Sequence, residues 1–270
     1  MSQYRLKQHL IGKGGIVMWV SLKEEREGQE NTNKQGCKMK IVSYIQAGDI
    51  YVQFLDEHGA IIHTSYDLFK KGNVRNPYYP SVYNRGYVGI KHPAYEENKT
   101  NVQTKEFVTW EGMMNRAYGS RRSQGYDGVQ VCGDWWNYES FYEWTHAQSN
   151  YYFWKKGGRD WAIDKDIIKK GNKIYCPEYC CLVPREINSL LTGQRVPKNH
   201  YRGVKRDYHN NLHPYTTHVY GGTFSTPWEA CLYYKQNKEA RIKEVAIKYY
   251  EKGQITEECF QGLINYEVDP

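Results

Sequence analysis

Hydrophobic and polar positions alternate in strand fashion between Lys38 and Phe69. Lys40–Ile45 is one run, Ile50–Leu55 the next, with Ala47-Gly48-Asp49 between them. Ile61–Thr64 follows after the turn residues Asp56-Glu57-His58-Gly59. Short strands joined by Gly/Asp turns predict a small antiparallel barrel. The polar stretch Lys23–Gly36 reads as a long, mobile loop. Pro77–Thr104 is punctuated by Pro77, Pro80, Gly86, Gly89 and Pro93 and reads as a linker with little regular structure.

The period then changes. Trp110, Met113, Met114 and Tyr118 stand at helical spacing, and Tyr138, Phe141, Tyr142 and Trp144 predict a second amphipathic helix. Val196–Asn199 reads as a further linker, and Tyr201–Phe224 as short strands around Gly221-Gly222. A long helix is predicted over Pro227–Lys252, because Thr226, Pro227 and Glu229 supply an N-cap, a first-turn proline and the acid of a capping box. Ile255–Ile264 reads as a final short helix. Phe224, Trp228, Ala230 and Tyr234 are the expected core between strands and long helix.

The most apolar run, Gly14–Leu22, is far shorter than the roughly 20 residues of a membrane span, and Met1–Gln8 lacks a secretory pattern. A membrane or secreted protein is therefore not expected. Five of the seven excess positive charges of the 270-residue chain lie before residue 93. The excess permits nucleic-acid binding and argues against a DNA mimic. The 26 tyrosines fit two readings, stacking on bases or an aromatic core, and composition does not separate them. Seven cysteines without a secretory signal predict reduced thiols in a cytoplasm.

The chemistry-bearing string is Trp161-Ala162-Ile163-Asp164-Lys165-Asp166, then Gly171-Asn172-Lys173-Ile174-Tyr175-Cys176-Pro177-Glu178, then Glu186-Ile187-Asn188. With Trp110–Tyr118 and Val129–Trp135 upstream, it resembles the phage and prophage HNH-type family over residues 105–192. The resemblance implies a ββα finger holding one divalent cation, Mg²⁺ or another, against a scissile phosphate. Asp164 and Asn188 would be the metal ligands, with Asp166 a helper, because such a cation takes hard oxygen donors. The sequence departs from the family at Lys165, where a general-base histidine usually stands. Lysine is a poor base near neutral pH, so Lys165 would instead clamp a phosphate; either another base serves, the metal alone activates water, or cleavage is lost and DNA binding kept. His146 is the nearest histidine in sequence, with nothing to place it in the site. Cys132, Cys176, Cys180 and Cys181 lack the paired Cys-x2-Cys spacing of zinc knuckles, which argues for packed free thiols.

Tyr201-Arg202-Gly203-Val204, Tyr215 and Gly222-Thr223-Phe224-Ser225-Thr226-Pro227-Trp228 resemble the AP2 family of DNA-binding domains over residues 199–250. That implies a three-stranded sheet on one helix, laid in the major groove, with Arg202, Lys205, Arg206 and Tyr215 as DNA contacts. Lys169 and Lys170, beside the finger, are expected on phosphates. The N-terminal strands look SH3-like or Tudor-like by pattern, with Lys70, Lys71, Arg75 and Arg85 as a basic stretch.

The expected architecture is α+β in three parts: a small β-barrel and linker over 1–92, an HNH-like ββα domain with flanking helices over 93–195, and an AP2-like sheet and helix over 196–270. The expected function is double-stranded DNA binding, with metal-dependent nicking by Asp164, Lys165 and Asn188 in the homing-endonuclease manner. The alternatives are an inactive DNA-binding regulator, or a phage counter-defence protein that binds a host nuclease complex. The expected location is the cytoplasm of a bacterial host.

Overall fold

A computed structural model describes residues 4–9, 16–120, 124–192, 201–217 and 219–269, so the expected linker Val196–Asn199 lies outside the described residues. Contacts divide the chain into two units, Met1–Pro93 and Ala94–Pro270. Both mix helices with small sheets. Among the described residues no helix is long and apolar enough to cross a membrane.

In the first unit β1 (Tyr4–His9) and β2 (Ile16–Ser21) form an antiparallel hairpin, followed by α1 (Leu22–Arg26). β3 (Glu30–Thr32), β4 (Lys38–Gln46), β5 (Asp49–Phe54) and β6 (Ile61–Thr64) make an antiparallel meander, and α2 (Tyr66–Lys70) follows. Alternation sends Met39, Ile41, Ile50, Val52 and Phe54 into a core closed by Phe69. The expected barrel does not close: the sheet runs β3-β4-β5-β6, and its outer strands are not paired to each other. Edge strands of three and four residues offer too few backbone groups to curl the sheet shut. The stretch Lys23–Gly36 is not a bare loop, since it carries most of α1 and all of β3. Ser21 and Glu24 close a capping box, and the Arg26 guanidinium lies 3.9 Å from the centre of the Tyr66 ring while donating to Tyr44 Oη at 2.6 Å.

The second unit opens with α3 (Lys105–Tyr118), capped by Thr104, and β7 (Gln130–Val131). α4 (Tyr138–Ala147) and α5 (Tyr151–Lys156) come next. β8 (Trp161–Asp164), β9 (Ile174–Tyr175) and β10 (Cys181–Pro184) lead into α6 (Arg185–Leu191). β8 pairs antiparallel with β10, and β7 parallel with β9. Trp110, Trp135, Trp154, Tyr138 and Phe141 are fully buried, and Trp110 Nε1 donates to the Trp135 carbonyl at 2.7 Å. Large rings with a polar edge fill the space between short elements while finding hydrogen-bond partners.

β11 (Val204–Arg206), β12 (Tyr215–Thr217) and β13 (Gly221–Phe224) form a three-stranded antiparallel sheet. α7 (Pro227–Tyr250) packs on it, starting at the Thr226/Glu229 capping box with Pro227 in the first turn. α8 (Glu257–Ile264) ends the order. Ala230 and Tyr234 are buried and Phe224 is half-buried, but Trp228 is 49% exposed. The turn that brings Ala230 and Tyr234 under the sheet carries residue 228 to the solvent side of α7. The segments expected as separate domains, 93–195 and 196–270, share one apolar core: Ile167, Cys181, Val183 and Ile187 pack with Tyr234, Ile242, Val245, Cys259 and Leu263.

Candidate functional site

β8, β10 and α6 are two antiparallel strands and a helix, with a long loop, Lys165–Lys173, leaving the end of β8. Asp164 organises the start of this loop: its Oδ1 accepts from the backbone N–H groups of Asp166 at 2.7 Å and Ile167 at 3.0 Å. Asn172 ties the far end back, Nδ2 donating to the carbonyls of Lys165 at 2.8 Å and Ile174 at 2.7 Å. Gly171, at φ +75°, supplies the left-handed residue that this return needs. α8 supports the loop from beneath, so closely that a Cβ on Gly262 would stand 2.6 Å from the Ile167 carbonyl oxygen.

Asp164, Lys165, Asp166 and Asn188 line one open cleft of about 1040 Å³. Five further cations line it: Lys105, Arg116, Lys155, Arg159 and Arg185. Each is positioned by its own neighbours. Lys155 pairs with the fully buried Glu106 at 2.6 Å and with Glu96 at 3.5 Å. Burial pushes the Glu106 carboxyl up, but the Lys155 and Tyr151 hydrogen bonds outweigh it and hold the group below its ordinary value. Lys105 lies over the Trp154 ring and donates to the Trp154 carbonyl; burial pulls its pKa down to about 8, against a smaller opposing pull from Glu106. Arg185 Nε donates to the Arg159 carbonyl at 3.0 Å. Arg185 and Asn188 stand three apart on α6 and so share a side of that helix.

Arg116 projects from α3 and donates through Nε to Tyr175 Oη at 3.0 Å. Burial pushes the Tyr175 hydroxyl up to about 12, with the Arg116 charge opposing. Burial likewise pushes the Asp164 carboxyl above its ordinary value, partly offset by the backbone hydrogen bonds from Asp166 and Ile167.

Lys165 does not reach freely into the cleft. Its Nζ donates to Asp166 Oδ2 at 2.6 Å and to the Asn172 carbonyl at 2.8 Å, and its side chain is 11% exposed. The expectation of a phosphate clamp therefore meets a side chain already committed to the loop. His146 is not among the cleft-lining residues. Its ring lies between Tyr142 and Tyr151, with centroids 4.1 Å away on each side.

The donor chemistry fits a hard divalent cation. Asp164 offers a carboxylate and Asn188 a carboxamide oxygen to the same cleft, and Mg²⁺ commonly keeps several waters while taking few protein ligands. Among the described residues no three His, Cys, Asp or Glu side chains gather into a closed metal cage. Cys132, Cys176, Cys180 and Cys181 are free thiols, and burial pushes those of Cys132, Cys176 and Cys180 up, Cys176 to about 11. For Cys181 the hydrogen bond with Cys259 is the leading cause of the upward push, and burial adds to it.

The expected DNA contacts outside the cleft are distributed differently from the sequence reading. Arg202 precedes β11, and its Nε is buried without a hydrogen-bond partner; its charge acts on Tyr234, Lys238 and Asp269, so it faces α7 and the C-terminal segment. Arg206 and Tyr215 are directly paired, as are Tyr215 and Phe224. The Phe224 ring packs 5.1 Å from that of Tyr233 on α7, so these residues share the helix side of the sheet. Lys205, paired with Thr216, projects from the opposite, free face together with Thr223. Lys170 donates to the Glu267 carbonyl and to Asp269, while Lys169 lies over the Tyr179 ring.

Sequence reasoning missed Lys105, Arg116, Lys155, Arg159 and Arg185. The nearest available signal was Arg185 three residues before Asn188; the others come together only through tertiary packing. Compared with known proteins, the chain matches no protein-family model, no curated protein and no solved structure.

Proposed function

We propose that this protein binds double-stranded DNA and nicks it with a divalent cation, in the manner of HNH-type proteins carrying an AP2-like reader. The observation that carries the reading is the opening of Asp164 and Asn188, from two different elements, onto one cleft lined by five further cations. Asp164 and Asn188 would hold Mg²⁺ or a similar ion, which when bound neutralises charge on a phosphodiester and lowers the pKa of water. The chain's own contribution is placement. Arg159 and Arg185 present guanidinium groups to a sugar–phosphate strand, and Asn172 and Asp166 hold the loop that fixes Asp164. In the AP2-like part, Lys205, Thr216 and Thr223 form the free face that suits a major groove. The N-terminal meander, SH3-like in strand pattern, would add its basic stretch to the DNA backbone.

A second reading, binding without cleavage, is favoured by Lys165. It occupies the position of the usual general base, yet its Nζ is spent on Asp166 and Asn172. Supercoiled plasmid incubated with Mg²⁺ or Mn²⁺ separates the two. The nicking reading requires open circles from the wild type and none from Asp164→Ala or Asn188→Ala, with duplex binding retained by both variants. Binding without any open circles leaves the second reading. Absence of duplex binding at low salt removes both.

A further inference from the structure

We propose that Arg116 is the principal phosphate-gripping side chain of the cleft, ahead of Lys165, which is held within its loop by Asp166 and Asn172. The inference rests on the DNA reading above and adds to it the residue that holds the backbone. Four features of the site lead to it.

The first is commitment of the lysines. Lys155 is spent on Glu106 and Glu96, Lys165 on Asp166 and the Asn172 carbonyl, and Lys105 on the Trp154 carbonyl. Each ammonium keeps an N–H to donate, but its position is set by the partner it already holds. The second is the state of Arg116. Its single hydrogen bond among the described residues uses Nε, toward Tyr175 Oη at 3.0 Å, and leaves the two terminal nitrogens of the fork without a partner. Those nitrogens are the ones that match two oxygens of a phosphate.

The third is rigidity. The guanidinium carbon stands 5.3 Å from the Tyr175 ring centre and 5.8 Å from that of Tyr126. An arginine already held by two rings and one hydroxyl gives up less side-chain freedom on binding than a free surface arginine. The fourth is address. Tyr175 carries Arg116 and also lies 6.0 Å from Lys165 Nζ, so the guanidinium is tied to the residue next to Asp164. Arg159 and Arg185 are more exposed and lack such ring support, which leaves them as secondary contacts.

The ligand class is a phosphodiester, and the test uses a 20-base-pair duplex of arbitrary sequence, since this contact is independent of base identity. Affinity is measured by fluorescence anisotropy across a salt series for the wild type, Arg116→Ala and Arg116→Lys, with melting temperature recorded for each. The expected result for Arg116→Ala is weaker binding and a log–log salt slope shallower by about 0.9, the value for one lost phosphate contact. Arg116→Lys keeps the charge and should retain the slope while still binding more weakly, because the two-pronged contact is gone. A purely structural role for Arg116 would lower the melting temperature and leave slope and affinity alone. Wild-type affinity and slope in both variants, or in Arg116→Lys alone should Arg116→Ala not fold, overturn the proposal while the DNA reading stands. No binding by the wild type overturns the DNA reading itself.

Discussion

Lys105 illustrates how a single side chain in the cleft can set its pH response. Its pKa is drawn down to about 8 by burial, and its charged neighbours are Glu106, Lys155 and Asp160. Below that pH the cleft holds one more positive charge than above it. Raising the pH from 7 to 9 should therefore weaken duplex binding at low salt, and Lys105→Arg, which stays charged, should bind with little change across the same interval. Equal pH dependence in both proteins would show that Lys105 does not face the bound backbone. The linked effect on stability has the opposite direction. The folded state binds fewer protons than the unfolded chain between about 8 and 10.5, so the penalty for burying this ammonium is full below that window and is relieved as pH rises through it. Tyrosine chemistry is also legible at this scale. Tyr138, Tyr151, Tyr175 and Tyr249 use their hydroxyls on Thr104, Glu106, Arg116 and Glu186, so these four serve as scaffolding.

At the scale of elements, the loop carrying Asp164 depends on a helix distant from it in sequence. α8 crosses beneath the loop at Gly262, where a Cβ would clash with the Ile167 backbone. Gly262→Ala should therefore destabilise the fold by about 1–3 kcal/mol in urea denaturation, as overpacking does, and it should impair nicking more than duplex binding. A change under about 0.5 kcal/mol would mean that α8 can slide away from the loop without cost. Much of this element map could be read from the sequence. The helix expected from Pro227 starts there because Thr226 and Glu229 form their box locally, and the strands around Ile41, Val52 and Ile62 follow from alternation alone. The reading fell short where distant residues decide. Barrel closure depends on strand lengths that alternation does not fix. Arg26 orders the Lys23–Gly36 stretch through Tyr44 and Tyr66, and those contacts have no local signal. In the site, Asp164 and Asn188 stand out by motif spacing, whereas Arg116 lies on a helix marked in sequence by its apolar stripe and Lys155 in a stretch without a motif. The faces of Arg206 and Tyr215 depended on a register that only the folded sheet supplies.

On the scale of the whole molecule, the charge and the chemistry are unevenly shared. The first unit carries most of the net positive charge, and the second carries the cleft. Within the second unit, the three-stranded sheet and the cleft are joined by packing. α7 holds the sheet through Phe224 and Tyr233 and buries Tyr234, Ile242 and Val245 against Ile167, Val183 and Ile187, residues that flank Asp164 and Asn188. Motion of the sheet relative to the cleft would have to open a close-packed apolar core.

That shared core makes the unit a ruler. In a nuclease whose reading and cutting parts hang on a flexible tether, the scissile bond can wander over several nucleotides from the sequence that is read. On the proposed reading, side-chain packing would set the offset, so the footprint of the sheet and the position of the nick on a cognate duplex should be separated by one constant number of base pairs. Inserting four glycines between Val196 and Asn199 should leave that number unchanged, because the offset is carried by α7 and α8 and not by the connecting chain. Mapping the nick by primer extension on the same duplex with both proteins would reveal it; an offset that spreads or grows with the insertion would mean that the two parts are leashed, not gauged.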